Sequence, residues 1–411
     1  MPYSKFLFKY FTRPALPAFF YTMGRSFSYI SSAAAIVDAY KAEQPFNYFI
    51  KNFFASNKKF GSRDRKLISN FCYCYFRTFH LFKNEKRLDA IVKGFFLCEN
   101  TESSILNELA PELNAIVGLP VVQKINYLKL DTTEIVPFAQ ELGGVQSPIK
   151  FAASFLRQPL LFLRMRPGKA PAVVAKIRSA NLPFEQLTPD CLVMPNASSL
   201  EKIVRLNEAA VIQDFSSQRV FDFLQNLPSI TAGNDKLRVW DCCAASGGKS
   251  ILLFDILKGK LQLTVSDIRK TILHNLEERL AQARVPIQKK IVANLEEQLP
   301  PGTMGDFDLI ICDVPCTGSG TWSRTPEQLA FYKNESILQY AKKQKAIASN
   351  AARYLKPGGL LFYITCSVFK KENETLVESL QRSSSLILLH QHYLEGYEMQ
   401  ADTMFVAVLQ K

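Results

Sequence analysis

The sequence predicts a doubly wound α/β domain in its C-terminal half, preceded by a small α+β module and an all-helical domain. Three observations lead to this prediction. Apolar residues recur at three- and four-residue steps from about residue 31 to residue 141, a spacing typical of helices. Strand-like and helix-like segments are mixed over residues 151–225. From residue 236 onward, strand-like runs alternate regularly with helical patterns, which indicates a mostly parallel sheet.

The domain boundaries are placed where the pattern changes. Glycines, Ser147 and Pro148 interrupt the helical periodicity between the first two parts, and such residues mark loops. We therefore predict four successive parts: a basic N-terminal extension (1–28), the helical domain (29–142), the α+β module (143–230) and the α/β domain (231–411).

Individual elements follow from local patterns. In the module we expect strands at 159–166 and 191–195 and helices at 170–180 and 199–206. In the α/β domain we expect strands at 236–243, 261–267, 288–293, 307–313 and 359–365. Ligands of such sheets bind beyond the carboxyl ends of the strands, and the motifs described below all lie at those ends.

The positive charge of the chain is concentrated at its N-terminal end. The net charge is +13, and residues 1–100 hold 16 basic and 6 acidic residues, whereas residues 201–411 hold 25 and 23. Basic modules attached to a nearly neutral domain suggest parts that bind a polyanion. A solvated surface with a basic bias is the alternative that charge alone leaves open.

The nine cysteines form an odd set without the spacing of zinc ligands, so we expect no metal site. Unpaired cysteines fit a reducing compartment, and we therefore expect a cytoplasmic protein. The sequence contains no run of 18 apolar residues, so we expect no membrane partner.

The segment VWDCCAASGGKS (239–250) is a strand that leads through small residues into a helix beginning near Gly247 and Gly248. Small side chains let a ligand approach the backbone, and a helix N-terminus offers free N–H groups. The end of the segment, GGKS, also matches a P-loop, with LIICD as its magnesium-binding strand. The P-loop spacing, however, needs a glycine where Cys243 stands.

Two polar residues at the next strand ends favour a nucleoside ligand. Asp267 ends the second strand, 19 residues after Gly248, where a carboxylate accepts hydrogen bonds from ribose hydroxyls. Asn294 ends the third strand, where its side-chain oxygen can accept a hydrogen bond from an adenine amine. We therefore favour a nucleoside cofactor, with a P-loop NTPase as the alternative.

Cys316 and Cys366 follow two further strands at the same edge, and Asp313 shares the loop of Cys316. A thiolate that adds to C6 of a pyrimidine makes C5 nucleophilic towards an electrophilic methyl group. A carboxyl facing N3 can stabilise the charge that develops on the ring. A free buried cysteine is more often a small apolar side chain, so local sequence leaves both interpretations open.

Four segments, DCCAASGGKS, SDI, DVPCTGSG and YITCSVFKKENE, resemble in order and spacing the motifs of the RsmB/Nop/Sun family of RNA cytosine-5 methyltransferases. QDFSSQ (213–218) resembles the family segment before the cofactor strand. The helical part, with SRDRKLISNFCYCYFR, is similar to the NusB-like RNA-binding domain of the ribosomal RNA branch. The resemblance implies a Rossmann-like methyltransferase domain, S-adenosylmethionine as cofactor, and ribosomal RNA as substrate, with transfer RNA as the alternative.

The resemblance also implies roles for individual residues. Cys366 is expected to attack C6, Cys316 to assist release of the covalent adduct, and Asp313 to contact the ring at N3 beside the methyl donor. Asp267 is expected to hold the ribose and Asn294 to lie at the adenine. The residues expected around the methionine part of the cofactor are Cys243, Ala244, Ala245, Ser246, Gly247, Gly248 and Lys249.

Two positions depart from the family pattern. Ser246 stands where the family has proline and Asn294 where it has aspartate, so we expect a looser turn and weaker or altered cofactor binding. An RNA-binding assembly factor that does not catalyse methyl transfer is therefore a further alternative. Arg324 resembles a family arginine and is expected to contact a phosphate or the target base, or else to be an exposed loop charge. We expect a monomer.

Overall fold

The computed structural model describes residues 24–227 and 235–411. Most of the predicted N-terminal extension and the predicted boundary between residues 230 and 231 lie outside the described residues. The chain divides into two compact units, Met1–Ile135 and Val136–Lys411. The domain boundaries proposed from the sequence stay predictions.

The described residues of the first unit form helices and contain no strand. The helices are Arg25–Ala39, Phe46–Ser56, Ser62–Arg77, Phe79–Phe82, Arg87–Cys98, Ser104–Leu109, Pro111–Asn114 and Val121–Tyr127, followed by a 3-10 turn at Thr132–Ile135. Helix Ser62–Arg77 begins where Asp64 Oδ2 accepts a hydrogen bond from the Gly61 N–H at 3.1 Å, an acidic side chain that also suits the helix dipole. Its buried face includes Phe71 and Cys72.

The second unit begins with short helical elements at Ala139–Glu141 and Pro148–Ser154 and then forms a four-stranded antiparallel sheet. Its strands are β1 (Leu161–Met165), β2 (Glu185–Thr188), β3 (Cys191–Met194) and β4 (Ala210–Ile212), in the order β2-β3-β1-β4. The predicted helix at 170–180 is confirmed, since Ala170–Ser179 is helical. Short helical segments follow at Phe215–Gln218 and Asp222–Asn226.

The predicted helix at 199–206 is wrong. Residues 201–204 form turns, in which the N–H groups of Ile203 and Val204 both donate to Leu200 O. Asn207 then adopts a left-handed conformation with φ 65°, which turns the chain into β4 instead of continuing a helix. The four-residue spacing that resembled a helix arises because Leu200 and Val204 are both buried in the core under the small sheet.

The C-terminal sheet has seven strands. They are β5 (Leu237–Asp241), β6 (Leu261–Asp267), β7 (Ile287–Val292), β8 (Phe307–Asp313), β9 (Leu355–Thr365), β10 (Ile387–Glu395) and β11 (Thr403–Gln410), in the order β10-β11-β9-β8-β5-β6-β7. The five predicted strands are parallel to one another, whereas β11 pairs antiparallel with both β9 and β10. The predicted Rossmann-like fold is confirmed.

Helices cover both faces of this sheet. The order of its central strands determines where a ligand can bind. The helices are Gly248–Ile256, Lys270–Gln282, Pro326–Ala330, Glu335–Ala352 and Glu374–Ser383. From β5 the chain builds outward to β6 and β7 on one side and then to β8 and β9 on the other. The crevice between β5 and β8, beyond their carboxyl ends, is where such sheets bind ligands. Among the described residues, no helix has the length and apolarity needed to cross a membrane.

Candidate active site

The loop after β5 makes a tight turn before the helix Gly248–Ile256. Ala245 and Gly247 both adopt left-handed conformations, with φ 44° and 78°. A Cβ on Gly247 would lie 3.2 Å from Leu280 Cδ2, so this position favours glycine for space as well as conformation. At the base of the loop, Asp241 is buried and accepts a hydrogen bond from Ser250 Oγ at 2.6 Å. Burial raises the pKa of Asp241 to about 7.

The hydrogen bonds of this loop do not leave a phosphate cradle. The Ala244 N–H donates to Ser266 O at 2.9 Å and the Gly247 N–H to Ala244 O at 2.8 Å. The Ala245 N–H donates to Asp267 Oδ2 at 3.2 Å. A P-loop needs free backbone amides around the phosphates and a hydroxyl free for magnesium, whereas here the Ser250 hydroxyl is buried on Asp241. The geometry therefore disfavours the P-loop alternative.

Ser246 is held by an arginine from a neighbouring helix. Arg279 Nη1 donates to Ser246 O at 3.1 Å and to Ser246 Oγ at 2.8 Å. Arg279 Nε in turn donates to Asn207 Oδ1 at 2.9 Å. The turn at Ser246 thus has a side-chain restraint that the sequence did not reveal.

A cavity of about 370 Å³ opens beyond the strand ends, within the volume range of small-ligand sites. Its lining combines the loop after β5, the ends of β6 and β8, and the residues after β7 and β9. Among the lining residues are Cys243, Ala245, Asp267, Ile268, Asn294, Leu295, Asp313, Cys316 and Cys366. The structure thus brings several of the predicted site residues to one cavity.

The two polar residues predicted to contact a nucleoside have protein partners already. Asp267 Oδ1 accepts hydrogen bonds from the Arg269 N–H at 2.9 Å and from Arg269 Nε at 3.1 Å. The Arg269 side chain is 58% exposed, so it can rotate away when a diol approaches the carboxylate. Asn294 Oδ1 accepts from the Glu296 N–H at 3.1 Å, which leaves a second lone pair for a ligand amine.

A second cavity, of about 270 Å³, shares Ala245, Asp313 and Cys366 with the first. Its other lining residues include Gln213, Asp214, Asp241, Ala244, Ser246, Gly248, Lys249, Arg279, Thr321 and Asp402. The shared wall means that ligands in the two cavities would meet at Asp313 and Cys366. This arrangement suits a group transfer from one ligand to another.

The two thiols predicted to be catalytic lie together, with Cys316 Sγ 3.2 Å from Cys366 Sγ. The hydrogen bond with Cys366 raises the pKa of the Cys316 thiol, and burial raises it further. Either sulfur can be the donor of the hydrogen bond between them. Cys242 and Cys312 are buried in the core of the sheet, and Cys243 lines the first cavity without entering the pair.

Lys249, which lines the second cavity, forms an ion pair with Asp313 on the shared wall, with Nζ 2.6 Å from Oδ2. Burial lowers the pKa of Lys249, but the charge of Asp313 and the hydrogen bond to it outweigh burial, so the pKa lies above its ordinary value. The Lys249 ammonium also interacts electrostatically with Cys366. A positive charge of this kind is what a nucleophilic sulfur requires nearby.

A buried carboxyl joins the two cysteine loops. Glu372 Oε1 accepts hydrogen bonds from Thr317 Oγ1 at 2.5 Å and Ser367 Oγ at 2.7 Å. Its Oε2 accepts from the Thr317 N–H at 3.0 Å and from Gln344 Nε2 at 2.7 Å. Thr317 follows Cys316 and Ser367 follows Cys366, so one carboxyl fixes the residue after each thiol. Burial raises the pKa of Glu372, and these hydrogen bonds oppose that effect.

Asn373 and Gly320 complete the support of the Cys366 loop. Asn373 Oδ1 accepts from Thr365 Oγ1 at 2.6 Å, and Asn373 Nδ2 donates to Ser367 O at 2.9 Å. The Gly320 N–H donates to Cys366 O at 2.9 Å. A Cβ on Gly320 would lie 1.9 Å from Thr403 O, so only glycine fits between this loop and the start of β11.

The expectation that Arg324 contacts a phosphate or the target base is not supported, because carboxylates already occupy its guanidinium. Arg324 Nη2 lies 2.6 Å from Asp214 Oδ2, and its Nε lies 2.8 Å from Asp402 Oδ1. The arginine thereby ties the segment 213–218 to the turn before β11. Burial and the neighbouring Asp214 raise the pKa of Asp402 to about 7, while Arg324 opposes the shift.

Residues 229–408 match the family model described as 16S rRNA methyltransferase RsmB/F. This domain belongs to the RsmB/Nop/Sun family. Ribosomal RNA small subunit methyltransferase B of Xylella fastidiosa is 28% identical over 241 residues, which cover 57% of this chain and 54% of that protein. The human 28S rRNA (cytosine(4447)-C(5))-methyltransferase is 29% identical over 149 residues, 34% of this chain and 18% of that protein. The chain thus spans about half the length of the bacterial relative.

The crystal structure of NSun6 from Pyrococcus horikoshii with SFG, an S-adenosylmethionine analogue, has the same fold. It superposes with a TM-score of 0.56 at 16% identity, covering 67% of this chain and 97% of that chain. At this identity the likeness shows a shared fold.

Glu372, Gln344 and Arg279 have functional positions that the sequence did not single out. Glu372 and Asn373 lie within the segment YITCSVFKKENE, but their hydrogen bonds to the cysteine loops depend on tertiary packing. Gln344 comes from the helix Glu335–Ala352, and no local pattern marked it. Within the described residues, no group of three or more His, Cys, Asp or Glu side chains is arranged to hold a metal ion.

Proposed function

We propose that this protein methylates C5 of a cytosine in structured RNA, most specifically ribosomal RNA. The pair of thiols 3.2 Å apart carries the proposal, because Cys366 lies on the wall shared by the two cavities and Cys316 lines the first cavity beside it. The first cavity takes S-adenosylmethionine and the second takes the target base, extruded from its RNA. Asp313 and Cys366 line both cavities, as a transfer between these ligands requires.

Cys366 is the nucleophile in the proposed reaction. Its sulfur adds to C6 of the cytosine, which makes C5 electron-rich. The Asp313 carboxyl faces the ring at N3 and shares its proton with N3 as negative charge develops there, and the Lys249 ammonium holds this carboxyl in place. Bound S-adenosylmethionine supplies the electrophilic methyl group.

Cys316 serves the second half of the reaction. Once C5 carries the methyl group, its proton must leave before the C6–S bond can break. The Cys316 side chain lies beside Cys366. Its thiol gives its own proton to solvent water, and the resulting thiolate accepts the proton from C5 as a general base. Elimination then frees Cys366 and restores the aromatic ring.

The residues around the first cavity fit the cofactor that they are proposed to hold. Asp267 offers a carboxylate for the ribose hydroxyls, and Ile268, which is 57% exposed, offers an apolar surface for a purine ring. Asn294 lies at the adenine end with one acceptor site left. The loop Cys243–Lys249 is proposed to hold the methionine part. Its Cys243 and Ala245 line the first cavity and its Ala244, Ser246, Gly248 and Lys249 line the second, so this part of the cofactor lies along the wall between them. The turn at Ser246 is fixed by Arg279.

The helical first unit is proposed to hold RNA through phosphates, as a NusB-like domain would. The excess of basic residues among residues 1–100 supports this assignment. Counterion release makes such binding steeply dependent on salt. A monomer in the cytoplasm remains part of the proposal, as does ribosomal RNA in preference to transfer RNA.

The proposed function predicts that the protein binds S-adenosylmethionine in isothermal titration calorimetry and does not bind MgATP. Incubation with ribosomal RNA and the methyl donor should then produce 5-methylcytosine, which bisulfite sequencing locates. Tight binding of MgATP without the methyl donor would support the P-loop alternative. Cofactor binding without methylation of ribosomal or transfer RNA would support the non-catalytic assembly factor.

Asp267 should contribute strongly to cofactor affinity. We expect Asp267→Ala to raise the Kd for S-adenosylmethionine about 10- to 100-fold, because a carboxylate hydrogen-bonded to a ribose is worth roughly 1.5–3 kcal/mol. Asp308→Asn is a matched control, since Asp308 pairs with Lys356 near the opposite end of the sheet. Calorimetry should show unchanged binding for the control. Equal losses in both variants would contradict the role of Asp267.

A further inference from the structure

Lys249 and Arg279 are the cations among the residues that line the second cavity. Lys249 pairs with a carboxylate, whereas the partners of Arg279 are neutral. Its Nε and Nη1 donate to Asn207 Oδ1, Ser246 O and Ser246 Oγ, all of them neutral acceptors. Within residues 24–227 and 235–411, no carboxylate forms an ion pair with its guanidinium. Arg279 therefore carries a positive charge that the described protein does not neutralise.

The carboxylates around the same cavity are engaged elsewhere. Asp313 pairs with Lys249, and Asp214 and Asp402 both pair with Arg324. Asp241 is buried and hydrogen-bonded to Ser250. The anion that would balance Arg279 is thus missing from the cavity wall.

The missing negative charge matters because the Arg279 guanidinium is partly buried and lies near a second positive charge. Burial lowers the pKa of Arg279, and the nearby charge of Arg164 lowers it further. The Arg164 side chain is buried and paired with Asp255 at 2.7 Å, although its Nη2 has no hydrogen-bond partner among the described residues. Arg279 lines the second cavity without such a carboxylate, and a partly desolvated guanidinium of this kind favours an anion supplied by a ligand.

We propose that Arg279 binds a phosphate of the RNA strand next to the target cytosine. The inference rests on the proposed function, because that function places the cytosine at Cys366 in the same cavity. A flipped nucleotide brings its own 5′ and 3′ phosphates to the mouth of the pocket that holds its base. The planar guanidinium suits two oxygens of a phosphate, and its Nη2 is the nitrogen without a protein acceptor among the described residues.

The test compares Arg279→Gln, Arg279→Lys and a control, Arg382→Gln, in methylation of ribosomal RNA at several salt concentrations. Arg382 is 76% exposed and paired with Glu378. We expect Arg279→Gln to raise the KM for RNA about tenfold, as for a lost charge-assisted hydrogen bond. The slope of log KM against log salt should fall by about 0.7, the value for one contact to a single-stranded phosphate. Arg279→Lys keeps the charge and should keep the slope, as should the control.

Calorimetry with S-adenosylmethionine alone separates this role from support of the cofactor loop. Arg279 also fixes the turn at Ser246, so Arg279→Gln can raise the Kd for the cofactor as well, but only loss of a phosphate contact lowers the salt slope for RNA. A weaker Kd for the cofactor with an unchanged salt slope for RNA would overturn the inference and make Arg279 a support of Ser246. If the wild type binds RNA without methylating it, the proposed function fails, and the slopes measured by equilibrium RNA binding still decide the role of Arg279.

Discussion

Changing Cys316 to alanine should convert the protein into one that stays covalently attached to its RNA. Cys366 can still add to C6 and the methyl group can still be transferred, but the residue that removes the C5 proton is gone. The RNA–protein adduct then accumulates as a band that survives denaturing electrophoresis. We expect turnover to fall by a factor of roughly 10² to 10⁴, the range for loss of a general acid–base group.

Changing Cys366 to alanine should instead abolish both the adduct and the methylated product. The double variant Cys316→Ala/Cys366→Ala should form no adduct, which shows that the trapped bond goes through Cys366. Cys312→Ala is a control, because Cys312 is buried in the sheet core and takes no part in the reaction. Methylation by the Cys366 variant, or an adduct in the double variant, would show that the two roles are wrongly assigned.

Glu372 should have the second largest effect although it lies outside both cavities. Glu372→Gln replaces a carboxylate that accepts four hydrogen bonds with an amide, and the amide NH₂ then faces donors. The loops of Cys316 and Cys366 should lose their fixed separation, and a misplacement of about 1 Å can reduce catalysis roughly 100-fold. We therefore expect kcat to fall about 100-fold, with little change in the KM for RNA or the Kd for the cofactor.

Glu374→Gln is the matched control for this prediction. Glu374 is two residues away, and its carboxylate accepts from the Gly144 N–H and the Tyr393 hydroxyl, neither of which belongs to a cysteine loop. Circular dichroism at the assay temperature verifies that both variants are folded. Equal loss of kcat in the two variants, or a loss in Glu372→Gln that appears only in KM, would mean that Glu372 does not position the thiols.

The sequence was a good guide to the centre of the α/β domain. Strands β5, β6, β7, β8 and β9 were predicted to within a few residues, because strand-like segments alternate regularly with helical patterns in this part of the sequence. The rule that parallel strands present their carboxyl ends at one edge then placed Asp267, Asp313, Cys316 and Cys366 together. The structure brings these four side chains to the wall of one cavity.

Local sequence patterns could not predict interactions between segments that lie far apart in the chain. The four-residue spacing of Leu200 and Val204 indicated a helix. A turn that buries both residues produces the same spacing, so the pattern alone could not distinguish the two. The sequence suggested that Arg324 contacts a ligand, whereas its guanidinium pairs with Asp214 and Asp402, which are 110 and 78 residues away. The restraint of Ser246 by Arg279 likewise joins positions 33 residues apart, and no short motif contains both.

The position of β11 sets the order in which the protein becomes active during its synthesis. This strand follows every other strand in the chain, yet it lies between β9 and β10 in the sheet, and Thr403 at its start packs against Gly320 beside Cys366. While these residues are still inside the ribosomal exit tunnel, β9 has an unpaired edge and the cysteine loops lack one of their walls. In the proposed reaction, methyl transfer therefore requires that β11 has left the tunnel and paired with β9.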